Sequence, residues 1–313
     1  MRGVDFMKKY TFYFGAGVAF ILPFIPGISS FASGIALILG LLIAVANYTP
    51  ATINVSKYRK LFLNGAIILF GFGLNINQVI SVGASGIWKS ALSLIITITV
   101  GLLLMKYINI DRKTGMLIDV GTAICGGSAI AAVSPVINAD DQQIGISTGV
   151  IFALNTVALF LFALFAHLIP LSAEQFGTWA ALSIHDTSSV VGAAAMHSDA
   201  ALQVATILKL TRTLWIIPIV LILAFVEKSN KKGSFPLFII FFILASLISS
   251  FFPNPDLYIT LTLIGKAMLS LALFLVGTTL HPKTITNAGL KPILFGVILW
   301  VAAIISGFCI AIL

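Results

Sequence analysis

The chain has 313 residues, 59% of them hydrophobic and only 9% charged, with a mean hydropathy of +1.10. Soluble domains carry about 25% charged residues, so the composition excludes a soluble enzyme or binding domain and predicts an all-α polytopic membrane protein. The net charge of +8 is no nucleic-acid footprint, because most Lys and Arg fall in short loops between apolar runs, where they carry topology.

A membrane-crossing helix needs about 20 mostly apolar residues. That length predicts helices near 10–25, 31–47, 61–80, 88–107, 113–137 (broken), 144–168, 176–197 (broken), 200–226, 235–252, 258–280 and 291–313, eleven in one transmembrane domain over 1–313. Arg2, Lys8 and Lys9 precede the first run as in a signal peptide, but no small-x-small cleavage site follows, so a retained first helix is expected. With the N-terminus in the cytoplasm, the inner loops hold Lys57, Arg59 and Lys60; Lys106, Arg112 and Lys113; Lys228, Lys231 and Lys232; and Lys283 and Lys291. The outer loops hold Asp140, Asp141 and Asp256. This bias predicts an inside N-terminus and an outside C-terminus. Lys89 is the main exception, and the inner loop 169–175 carries only Glu174. Cys125 and Cys309 lie in apolar segments, with no CxxC, zinc-ligand spacing or disulfide framework.

The fifth segment contains Asp119-Val-Gly-Thr-Ala-Ile-Cys125-Gly126-Gly127-Ser128-Ala-Ile130. A Gly-Gly pair costs a helix roughly 1 kcal/mol per glycine relative to alanine, and Ser128 is a good N-cap for a new helix. A broken helix is predicted, one half ending near Cys125 and the next starting near Ser128. Irregular backbone inside a bilayer is tolerated where it is buried in protein or lines a cavity, and a helix N-terminus there attracts anions. Close packing of a glycine-rich helix on a neighbour is the competing reading.

The seventh segment holds the most polar stretch of the apolar body, Ser183-Ile-His185-Asp186-Thr187-Ser188-Ser189-Val-Val-Gly192. Asp186, Thr187 or Ser188 could cap the following helix, the hydroxyls suit an oxyanion, and His185 beside Asp186 suits a proton relay. An interfacial loop is the plainer alternative. Asp119 could bind a proton or a cation, or be a neutral structural acid. Lys209, Arg212 and Lys266 could counter a bound anion or neutralise Asp119 or Asp186; alternatively, Lys209 and Arg212 snorkel to an interface. Asn64, Asn75, Asn77 and Asn155 read as interhelical glue. No metal cluster, P-loop, dinucleotide fingerprint or nucleophile elbow appears, which argues against an enzyme, a cofactor or ATP-driven pumping.

Two internal echoes are present. Gly71–Gly83 matches Gly277–Gly289 at Gly, Leu, a β-branched residue and Gly, and the same offset pairs repeat-like halves, about 5–107 and 211–313, around a broken-helix centre at about 113–198. Inverted repeats of this kind mark secondary transporters. A second echo lays Ile124–Ala132 on Ile184–Gly192, with Gln143 on Gln203. If both broken segments cross the membrane they run parallel, which an inverted scheme forbids. Either the second echo is chance, or one broken segment does not cross fully.

At Gly121-Thr-Ala-Ile-Cys-Gly-Gly-Ser-Ala-Ile-Ala-Ala132 and at His185-Asp-Thr-Ser-Ser-Val-Val-Gly-Ala193 the chain resembles the YeiH family of bacterial membrane proteins, whose members usually carry a sulfate-exporter label. The resemblance runs over nearly the whole chain. It implies a multi-pass carrier of the bacterial plasma membrane, distantly akin to sodium/proton antiporters and bile-acid sodium symporters, with panel and core domains and broken helices crossing at mid-membrane. Homodimers are common among carriers of this kind, though nothing in the sequence demands one.

These readings combine into a secondary transporter of a small anion, sulfate or a similar oxyanion or sulfonate. Gly126, Gly127, Ser128, Thr187, Ser188, Ser189, Lys266 and Arg212 are the candidate substrate ligands. Asp119, His185 and Asp186 are the candidates for coupling to H⁺ or Na⁺. A cation/proton antiporter and an uncoupled anion channel remain as alternatives.

Overall fold

The computed structural model describes residues 2–25, 28–29, 32–50, 52–227, 237–252, 254–279 and 289–313. Among them every regular element is helical: α1 (Arg2–Ile21), α2 (Ala32–Val45), α3 (Val55–Gly71), α4 (Ile76–Ile108), α5 (Arg112–Ala123), α6 (Gly127–Val133), α7 (Asp141–Leu168), α8 (Ala173–Ser183), α9 (Thr187–His197), α10 (Asp199–Leu214), α11 (Ile216–Val226), α12 (Phe238–Phe251), α13 (Pro255–Thr279) and α14 (Leu290–Ile312), with a 3₁₀ turn at Leu22–Phe24. Helix or broken helix occupies each of the eleven expected segments, but five are long and apolar enough to cross a membrane: α4, α7, α10–α11 taken together, α13 and α14. α2 and α12 are apolar and shorter. Phe14, Leu42, Ile95, Leu102, Leu221 and Phe225 lie exposed on outer helix faces, an arrangement suited to a hydrocarbon solvent.

The chain divides into two units, Met1–Ile80 with Pro236–His281, and Ser81–Phe235 with Pro282–Leu313. In the first, α13 packs on α1, α2 and α3. Its crossing with α2 runs backbone on backbone: a Cβ on Gly40 would stand 2.0 Å from the Phe274 carbonyl oxygen, and one on Gly277 2.4 Å from that of Leu37. Only glycine permits this approach. Ser270 donates to the Ala19 carbonyl, and Ser246 and Ser249 to that of Leu74.

In the second unit both broken segments double back, which corrects the expectation that they run through. A straight helix would separate Lys113 from Asn138 by about 37 Å and Leu171 from His197 by about 39 Å. Instead Lys113 Nζ donates to the Asn138 carbonyl at 2.7 Å, and His197 Nε2 lies 3.3 Å from the Leu171 carbonyl. The His197 ring also stacks on Phe176, near the start of α8, with centroids 4.6 Å apart. α5–α6 and α8–α9 are therefore helical hairpins. They flank opposite halves of α7. The base of α5–α6 meets the start of α7, where Gln143 donates to Asp111. The arm α8 packs on the far half of α7 through Phe162, Phe165 and Trp179.

Local sequence explains each break. Gly126 has φ +66°, a conformation open to glycine, and its N–H reaches back to the Gly121 carbonyl, a Schellman-type closure. Asp186 caps α9 by accepting from the Ser188 N–H. Pro218 cannot supply the N–H that would bond Leu214, and α10 ends at that residue. The second echo falls on matching elements, since α5, α6 and α7 are followed in the same order by α8, α9 and α10. The second arm of the first echo runs into residues 280–288, outside the described residues, as do Lys228, Lys231, Lys232, His281, Pro282 and Lys283.

Candidate functional site

The hairpin tips meet at the middle of the second unit. A Cβ on Gly126 would lie 3.6 Å from His185, so tip touches tip, and both rest on the central turns of α7. Gly126 and Gly127 face Ile151 and Phe152. Asn155, one turn on, accepts the Asp186 N–H at 2.9 Å and donates to Ser189 Oγ at 2.6 Å.

Each hairpin brings a helix C-terminus to this point, and each terminus carries about half a negative charge and unpaired carbonyls. Lys209 and Arg212, midway along α10–α11 and 0% exposed, satisfy both. Lys209 Nζ donates to Ile124, Ile184 and Ala181 carbonyls at 3.0, 2.7 and 3.4 Å. Arg212 donates from Nε to Ala123 at 2.8 Å, from one terminal nitrogen to Thr122 at 3.1 Å, and from the other to Ala181 at 3.0 Å and to Leu182. Trp300 Nε1 on α14 supplies the Ser183 carbonyl at 3.2 Å. The snorkelling reading of Lys209 and Arg212 is thereby overturned. Bonding to these carbonyls occupies most of the Arg212 fork.

The remaining candidates separate. Ser128 is not the N-cap of α6; Gly126 is, without a side-chain bond, and Ser128 is exposed one residue into the helix. Gly127 is half-buried, as is Asp186. Thr187, Ser188 and Ser189 are buried, and the Ser188 N–H and hydroxyl both donate to Asp186. Both ring nitrogens of His185 and Oδ1 of Asp119 are buried and have no hydrogen-bond partner among the described residues. The Asp119 carboxyl stands where a side chain at position 101 of α4 would be, 2.3 Å from a Cβ placed on Gly101. Lys266 lies on α13, in the other unit. Among the described residues no three His, Cys, Asp or Glu side chains are grouped to hold a metal ion.

Sequence reasoning read Asn155 as interhelical glue, and it does join α7 to the second tip; which helices it joins was not legible. Sequence reasoning missed the carbonyl-capping role of Lys209 and Arg212. The available signal was two cations one turn apart at the centre of a long apolar run, where a broken helix needs positive charge at its C-terminal break.

At the base of the first hairpin, Asp111 accepts from the Thr114 N–H and hydroxyl and from Gln143. Partial burial pushes its carboxyl up, but these bonds, with Lys113 nearby, hold it below the usual carboxylate range. Arg112 pairs with Glu227 at 2.7 Å and Lys291 donates to the Asn109 carbonyl. The opposite end carries the Lys89–Glu174 contact at 3.9 Å.

Fold and site together define a helical membrane protein built around two tip-to-tip hairpins. The profile of the family described as conserved hypothetical protein 698 matches residues 14–296, and the chain belongs to that family. It is 42% identical over 303 residues to a UPF0324 membrane protein of Photobacterium profundum, covering 96% of this chain and 91% of the relative. A Vibrio parahaemolyticus relative is also 42% identical, covering 94% and 96%. One from Bacteroides thetaiotaomicron is 40% identical, covering 91% and 89%. No solved structure matches the chain.

Proposed function

We propose that this protein is a secondary transporter of a small anion, with its substrate site at the hairpin tips and coupling to H⁺ or Na⁺. The observation that carries this reading is the meeting of two helix breaks midway along long apolar helices, with their carbonyl ends neutralised by buried cations. Such breaks line substrate paths in carriers.

Folded-back hairpins also revise the topology. The loop 138–143 moves to the inner side and the loop 169–175, whose one charged residue is Glu174, to the outer side, in keeping with the charge rule. Lys89 then sits at the outer interface beside Glu174, about 28 Å of helix from Ile108. N-inside and C-outside are retained. The two hairpins enter from opposite faces, so α5–α7 and α8–α10 relate as inverted copies and the conflict between parallel broken spans disappears.

The anion reading rests on the surplus of buried positive charge, Lys209 and Arg212 against Asp186 at the tips. Gly127, Ser128 and His185 are the groups that meet the anion, while Thr187, Ser188 and Ser189 shape the second tip. Asp119, with its unpartnered oxygen, carries the coupling proton or cation, and it also supports the second reading, cation/proton exchange.

Counterflow in proteoliposomes tests this. Preloaded sulfate should drive a transient overshoot of labelled sulfate that Asp119→Asn makes insensitive to pH and Na⁺. Gly127→Leu, which would press on Phe152 already 3.2 Å from a Cβ there, should abolish it. Leakage without overshoot indicates a channel. Proton movement driven by Na⁺ without sulfate flux indicates the exchanger.

A further inference from the structure

Lys209 and Arg212 do more than cap one helix end each. Lys209 bonds Ile124 of the first tip and Ile184 of the second through a single ammonium group. Arg212 bonds Ala123 and Thr122 on one side and Ala181 and Leu182 on the other through a single guanidinium. Withdrawing either tip from α10 would strip each buried cation of part of its carbonyl shell and leave a helix C-terminus unneutralised in a low-dielectric interior. Asn155 adds a link from α7 to the second tip. Simple capping would place one cation on each break; here both cations are shared across both breaks.

We infer that Lys209 and Arg212 are positioning residues forming a shared clasp, which couples the two hairpin tips so that neither opens without the other. The consequence for substrate passage rests on the transporter reading above; the coupling itself is a property of the fold and is tested separately.

Cys125 offers a native handle. It is buried at the first tip next to Ile124, whose carbonyl accepts from Lys209, one turn before Thr213 on α10. Thr213→Cys in a Cys309→Ser background offers a second thiol on α10 for a reversible disulfide to the first tip, its formation verified by loss of free thiol before exchange is read. In the full chain, hydrogen exchange followed by mass spectrometry should slow by a similar factor, tenfold or more, in both 122–128 and 182–189 on oxidation, and recover on reduction. Protection confined to 122–128 would overturn the clasp. Lys209→Met needs no crosslink: exchange should rise in both segments together, and a rise in one alone overturns the proposal equally. Absence of sulfate counterflow in the reduced protein would count against the transport reading, while the exchange measurements still decide the clasp.

Discussion

The two units hold helices together by different means. Among the described residues, the buried polar side chains of the first unit are Ser246, Ser270 and Thr278, all hydroxyls bonded to backbone carbonyls. At its α2–α13 crossing, Gly40 and Gly277 bring backbone against backbone, a matter of shape. The second unit buries Lys89, Asp119, His185, Lys209 and Arg212. Shape packing needs no exposed backbone, whereas the second unit interrupts two helices and must satisfy what the interruptions uncover. An ionisable group buried at membrane depth is a functional signal, and on the proposed reading the contrast places the chemistry in the second unit.

The contrast breaks most sharply at Arg212. Arg212→Met strands carbonyls on both hairpins and should cost about 3–5 kcal/mol, read as a large drop in thermal unfolding temperature in detergent; Arg212→Lys keeps charge but not the fork and should fall between. An unchanged temperature for Arg212→Met would mean the tips are held by packing alone. In the first unit, Gly277→Ala drives a methyl into the Leu37 carbonyl and should cost about 1–3 kcal/mol. Gly17→Ala, with nothing within 4 Å, is the neutral control. The smallest effect belongs to Asp111. Its carboxyl titrates lower in the folded chain than in the unfolded one, so its contribution is present above the unfolded value of about 3.9 and lost as pH falls through the lower folded value. The stability gap between the parent and Asp111→Asn should therefore be constant near neutrality and close below about pH 4; a gap that persists there would assign the effect to packing.

Much of this was legible in the chain. Apolar length located the helices, and Gly126-Gly127 and His185-Asp186 located both breaks, because glycine at positive φ and an Asx cap are local signals. What escaped was direction. A broken helix that continues and one that doubles back share the same local sequence, and the difference lies in contacts such as Lys113 with Asn138 and His197 with Leu171, about 25 residues apart. The same gap hid the partners of Lys209 and Arg212, since their acceptors are carbonyls, which carry no residue identity. Lys266 looked equally buried in sequence and falls in the other unit.

The indoles have an optical consequence. The chain has four tryptophans, and all of them, Trp88, Trp179, Trp215 and Trp300, belong to the second unit. Trp300 is bonded to the second tip, Trp179 to α14 at Ile304, and Trp215 to α4 at Ser90. Of the tyrosines, only Tyr107 lies outside the first unit. Emission excited at the red edge thus reports the hairpin-bearing unit with no contribution from its neighbour. The protein carries, unlabelled, a chromophore set partitioned along its own structural division.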